Sequence, residues 1–174
     1  MRTGRIILSA LLATTPVSVL AEDAQARGQL VDYAGFVELT ADLAEYRAQR
    51  LLPKDEFLRR SAAEGALILD TRSAVAFAAG HLAGAVNLPF SDFIDEKLRA
   101  IIGDDPTRPI FIYCNNNFSD DAFPVPLKRA PLALNIPTFI NLYGYGYTNI
   151  WELEGTMPLA DMPWFDAQVS VARS

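Results

Sequence analysis

Two runs of unbroken apolar sequence constrain this chain most: Ala66-Leu67-Ile68-Leu69 and Pro109-Ile110-Phe111-Ile112-Tyr113. A strand with one wet face alternates apolar and polar residues. A strand that is apolar at every position is buried on both faces. Ala85-Val86-Asn87 and Asn149-Ile150-Trp151-Glu152-Leu153 read as two further strands. Helical segments lie between them. Phe36 to Arg47 has helical spacing. Pro53 is suited to open a helix over Lys54–Ala63, with Phe57 and Leu58 inward. Ser73 can cap Ala74–Ala79 and Gly80 can stop it. Ser91 is placed to cap a helix through Lys97, Leu98 and Ile102, closed by Gly103. Leu132 to Tyr143 is predicted helical despite Pro137. Short buried strands alternating with helices predict an α/β fold with a parallel central sheet flanked by helices. Val86 is expected to share the buried sheet with Leu67, Leu69, Phe111 and Tyr113, and Trp151 and Trp164 are expected in the core. Sites in such sheets lie at the carboxyl ends of strands, and Cys114 stands at one.

The N-terminal segment is of another kind. Arg2 and Arg5 make a small positive patch, Ile6 to Leu20 is mostly apolar, and Val19-Leu20-Ala21 puts small residues at the −3 and −1 positions of a cut before Glu22. That order is the order of a secretory signal. The apolar stretch falls short of the roughly 20 residues a spanning helix needs. Residues 1–21 are therefore expected to be a signal peptide cut after Ala21, giving a periplasmic or secreted protein with no membrane span after cleavage. The alternative is an uncleaved N-terminal anchor.

Charge and rare residues exclude several functions. The 174 residues carry 15 Lys+Arg against 21 Asp+Glu, a net charge of −6. A nucleic-acid binder needs a basic face, so no nucleic-acid partner is expected. One cysteine cannot form an intrachain disulfide, and one histidine with one cysteine leaves no plausible structural zinc site. No metal or cofactor is expected.

A lone Cys can be a small buried hydrophobe or a nucleophile, and local chemistry leaves the two even. Cys114 follows an apolar strand and opens the polar turn Asn115-Asn116-Asn117-Phe118-Ser119. Asparagines tolerate unusual backbone angles, and such a turn can aim successive N–H groups inward as an anion-binding nest. That nest would stabilise a thiolate or the outer sulfur of a persulfide.

Two stretches together resemble the rhodanese family. One is Leu69-Asp70-Thr71-Arg72-Ser73 followed by Ala76-Phe77-Ala78-Ala79-Gly80-His81-Leu82-Ala83-Gly84-Ala85-Val86-Asn87-Leu88-Pro89. The other is Ile112-Tyr113-Cys114 with its turn, at the place of the family's active-site loop. Leu153-Glu154-Gly155, Pro158 and Trp164 resemble the family's closing segment more weakly. The resemblance covers about Leu51 to Trp164. It divides the chain into an N-terminal extension with one helix (22–50), a rhodanese-like domain (51–165) and a C-terminal tail (166–174). It implies sulfur transfer: Cys114 takes a sulfane sulfur from a small donor, holds it as a persulfide, and passes it to a thiophilic acceptor. It implies that Asn115, Asn116, Asn117, Phe118 and Ser119 form the substrate-binding loop. Asp70 and Arg72 are then a structural ion pair beneath the loop, and His81 is a structural hydrogen-bonding residue. The six-residue loop Cys114–Ser119 resembles that of sulfurtransferases; the related phosphatases and arsenate reductases have a longer one, usually containing Arg.

The chain departs from the pattern after the loop. Asp120 and Asp121 would disfavour a nearby thiolate and repel an anionic donor. Pro124 and Pro126 limit a helix begun at Ser119 to about one turn, so the dipole acting on Cys114 is weaker or comes from elsewhere. Asp121 to Pro131 reads as an insertion. Lys128 and Arg129 are candidates for the missing positive charge, against a plain solvated pair. Two functions follow: an exported sulfurtransferase working through Cys114, or a non-catalytic rhodanese-like module that binds a protein or an anionic partner.

Overall fold

The computed structural model describes residues 30–166. The expected signal peptide, the first part of the extension and all but the first residue of the expected tail lie outside the described residues. The chain divides into two units, with the boundary between Phe36 and Val37. The described part of the first, 30–36, leads into helix α1, Tyr33–Ala48.

The second unit is built on a five-stranded sheet in the order β1-β6-β5-β2-β4. Its strands are β1 (Leu51–Leu52), β2 (Leu67–Asp70), β4 (Val86–Asn87), β5 (Ile110–Tyr113) and β6 (Ile150–Leu153). Every neighbouring pair is parallel. β5 lies in the middle, with Leu67 opposite Ile110, Asp70 opposite Tyr113 and Ile112 opposite Glu152. Its unbroken apolar sequence has a direct cause. Successive side chains point to opposite faces, and both faces are covered. Ile110 and Ile112 join a core with Leu67, Leu69, Leu98, Phe139 and Leu142. Phe111 and Tyr113 join a second core with Leu52, Phe57, Phe118, Val125 and Leu153.

Helices α2 (Lys54–Ser61), α3 (Ala74–Ala79), α4 (Asp95–Ile102) and α5 (Asn135–Gly144) supply the layers. Ser73 caps α3 by accepting from the Ala76 N–H at 3.2 Å, and Gly80 ends it. The next residues form β3 (Gly80–Leu82), antiparallel to β7 (Trp164–Asp166). The backbone at Gly80 is extended, so any residue could adopt it; space is what excludes a side chain. A Cβ there would lie 2.4 Å from Trp164 Nε1. Among the described residues no helix is long and apolar enough to cross a membrane.

Several expectations are corrected. Ser91 caps no helix: it lies in a 3-10 turn, Phe90–Asp92, and its hydroxyl donates to Asp92 at 3.1 Å, while α4 starts at Asp95. α5 begins at Asn135 rather than Leu132, because Ala130–Leu132 forms a separate 3-10 turn. Pro137 is tolerated as its third residue, where the missing N–H has no partner within the helix. Val86 is 38% exposed because β4 is an edge strand. Trp151 is only half-buried: it lies between Arg50 and Arg60, whose guanidinium carbons stand 4.5 and 3.5 Å from its ring centre. Trp164 is half-buried as well, and both rings pack against the second core.

Candidate functional site

Cys114 occupies the position after β5, at the carboxyl edge of the sheet, and is 1% exposed. The chain turns at once into a 3-10 turn, Asn115–Asn117. Each asparagine side chain is engaged. Asn117 Oδ1 accepts from the Cys114 N–H at 2.9 Å, and its Nδ2 donates to Leu153 and Gly155 carbonyls at 2.8 and 3.0 Å. Asn115 Nδ2 donates to Pro126 O at 2.8 Å. Asn116 Nδ2 donates to Lys128 O at 2.7 Å and its Oδ1 accepts from the Lys128 N–H at 3.1 Å. The loop is thus tied to the end of β6 on one side and to the insertion on the other.

The N–H groups aimed at the sulfur come from two segments. Asn116 and Asn117 supply them from the loop, and Leu134 and Asn135 supply them from the start of α5. The dipole missing after the loop is therefore provided by α5, which the chain reaches only after the insertion. Phe118 and Ser119 do not share this task. The Phe118 N–H donates to Asn115 O at 3.0 Å and the Ser119 N–H to Met157 O at 2.9 Å. Phe118 is instead a buried core ring, set edge-on to Tyr113 and Trp164 at 6.0 and 5.1 Å.

Burial pushes the Cys114 thiol up. The N–H groups of Asn135, Asn116 and Leu134 pull it down, the charge of Glu152 adds to the rise, and the net direction is upward. The carboxylate felt by the thiol is therefore Glu152 rather than Asp120 or Asp121. Those two hold loops: Asp120 accepts from the Leu159 N–H and Asp121 from the Leu127 N–H, each at 2.9 Å. Lys128 and Arg129 are exposed.

Glu152, 4% exposed, projects from β6 and is gripped by Arg47 of α1. Arg47 Nε donates to Oε2 at 2.9 Å and Nη2 to Oε1 at 2.6 Å. Burial pushes the Glu152 carboxyl up, and Arg47 opposes that shift. Cys114, Asn135, Glu152 and Arg47 line one cavity of about 290 Å³, together with Asn116 and Glu154. A larger groove of about 450 Å³, between Ala79, Phe123, Leu159 and Trp164, presents no nucleophilic or titratable side chain.

The support lies on the other core. Arg72 donates to Asp70 through Nε at 3.0 and 3.1 Å and through Nη2 at 2.6 Å. It also reaches Pro124 O at 3.1 Å and Gly80 O at 2.7 Å. The Tyr113 hydroxyl donates to Asp70. This buried cluster joins β2, β3, β5 and the insertion. His81 Nδ1 donates to Phe77 O at 2.8 Å, and its ring stacks on Phe77 at 3.8 Å.

Sequence reasoning missed Arg47, Asn135 and Glu152 as members of the site. Glu152 had a visible signal, a carboxylate inside an otherwise apolar strand. Arg47 had none, since it reads as an ordinary cation in the last turn of a helix.

A family model described as the rhodanese-like domain matches residues 53–158. Similar solved structures include the rhodanese-like domain of a protein from Anabaena sp. (17% identity, covering 67% of this chain and 79% of that one, TM-score 0.45). Others are a Bacillus halodurans protein (15%, 82% and 77%, TM-score 0.40) and EanB in complex with hercynine (20%, 60% and 23%, TM-score 0.44). Among curated proteins none matches.

Proposed function

Because the chain belongs to the rhodanese-like domain family, we propose that it is a sulfurtransferase carrying sulfane sulfur on Cys114. The observation that supports this is the convergence of N–H groups from the Cys114 loop and from the start of α5 on the sulfur of the chain's one cysteine, beside a cavity. In the first step the Cys114 thiolate attacks the outer sulfur of a donor. A new S–S bond forms, the donor's S–S bond breaks, and the donor's remainder leaves with the electron pair; from thiosulfate it leaves as sulfite. The outer sulfur of the resulting persulfide carries negative charge, which the N–H groups stabilise. In the second step an acceptor nucleophile attacks that outer sulfur and Cys114 leaves as thiolate. The N-terminal sequence supports a periplasmic or secreted location. Sequencing the N-terminus of exported protein tests it, and a start at Met1 would remove it.

Intact mass after exposure to several sulfane donors tests the carrier. A gain of one sulfur is expected in the full chain and not in Cys114→Ser. A second reading is a binding module without catalysis, favoured by a thiol that is 1% exposed and pushed up by burial. No sulfur gained from any donor would leave that reading in place.

A further inference from the structure

We propose that Asn135, beside the Arg47–Glu152 pair, selects what meets Cys114: a small sulfur compound with a hydrogen-bond donor and positive or zero charge, in preference to an anion. The inference rests on the carrier reading of Cys114.

Three observations carry it. The cavity is about 290 Å³, and Arg47, Asn135 and Glu152 share its lining with Cys114. Asn135 is 5% exposed, and its orientation is fixed. Its Nδ2 donates to Asn117 Oδ1 at 3.1 Å and its side chain also hydrogen-bonds Glu152. Turning the amide over would set oxygen against oxygen at both partners. Asn135 Oδ1 is consequently left buried with no hydrogen-bond partner. Such an acceptor is costly when empty, so it favours an incoming donor. The third observation is charge. Among the described residues, the cation on the cavity wall is Arg47, and both its contacting nitrogens are held by Glu152. Glu154 adds a second carboxylate. An anion entering meets no guanidinium free of a carboxylate. An ammonium meets carboxylates instead, beside a buried acceptor that has no partner of its own.

Thiol–disulfide exchange on the full chain tests this apart from sulfur carriage, because Cys114 is the one thiol. The Cys114 thiolate attacks one sulfur of a symmetric disulfide. A mixed disulfide forms, the old S–S bond breaks, and the released thiolate takes a proton from solvent. Three probes are compared by intact mass: cystamine, bis(2-hydroxyethyl) disulfide and dithiodipropionate. Each rate is divided by that of a short unstructured cysteine peptide. The expected order is cystamine, then the neutral disulfide, then dithiodipropionate, with about tenfold between the extremes, the worth of one hydrogen bond to a charged group. Asn135→Leu should narrow the gap between cystamine and the neutral disulfide, leaving only the part owed to the carboxylates and the net charge. Asn135→Asp, which keeps the shape, should widen the gap and still decides the matter if the leucine variant fails to fold. Equal normalised rates, no reaction with any probe, or a gap unchanged in Asn135→Asp would overturn the selection. Sulfur loading on the same samples reports separately on the carrier. A chain that discriminates among disulfides but gains no sulfur keeps the selection and loses the carriage.

Discussion

Glu152 sets the electrostatics of the cavity. Its carboxyl is pushed up by burial and drawn back by Arg47, and the balance is upward. A carboxyl whose folded value is raised contributes stability in full below its unfolded value, and that contribution is lost as pH rises through the folded value. Arg47 limits the loss. Arg47→Leu should therefore cost about 2–4 kcal/mol at neutral pH, near the range for stranding a buried charge, and less in mild acid, where Glu152 takes up a proton. Urea denaturation at the two pH values measures the difference; equal costs would show that Glu152 is not charged when paired. Cys114 has its own signature. Its thiol is pushed up by burial ahead of all else. Alkylation by iodoacetamide, followed by intact mass, should keep accelerating beyond the pH at which an exposed thiol levels off. A plateau at or below that pH would mean that the N–H groups of the loop and α5 outweigh burial. On the opposite core, Arg72→Met would strand Asp70, which is fully buried. A loss of about 3–5 kcal/mol in thermal or urea unfolding is expected.

Elements were legible in proportion to how local their causes are. α3 could be read residue by residue because Ser73 and Gly80 bound it directly. β5 could be read because both its faces are buried, which removes every polar position. β3 and β7 escaped notice, since Gly80–Leu82 and Trp164–Asp166 pair only across about half of the chain. That pairing makes a prediction. Gly80→Ala should destabilise by about 1–3 kcal/mol, the usual cost of overpacking, because its Cβ would press on the Trp164 ring. Thermal unfolding of Gly80→Ala checks this, and a Tm like that of the parent would show that β7 can shift away freely. The donors around Cys114 were only half legible for the same reason. Asn116 and Asn117 follow the cysteine in sequence. Leu134 and Asn135 reach it from beyond an insertion, and Arg47 meets Glu152 across 105 positions. Patterns of period two or 3.6 carry no information about such returns.

The whole molecule acts on the site through its charge and through the order of its strands. A net charge of −6 repels anions at long range. Exchange of Cys114 with dithiodipropionate should therefore speed up with added salt and exchange with cystamine slow down, as screening weakens both fields. Stopped reactions analysed by mass across a salt series would show it; parallel responses would place the discrimination elsewhere. Strand order has a different consequence. β6 lies between β1 and β5, and among the described residues β1 pairs with no other strand. A strand at Leu51–Leu52 thus waits for one at Ile150–Leu153, and the cavity needs residues 47, 114, 135 and 152 together. Such long-range closure comes late and slowly in folding. An unfinished chain ending before β6 would carry its cysteine without Glu152 or the carbonyls of Leu153 and Gly155 that hold Asn117. The shielding of that one sulfur therefore registers whether synthesis and folding have both run to completion.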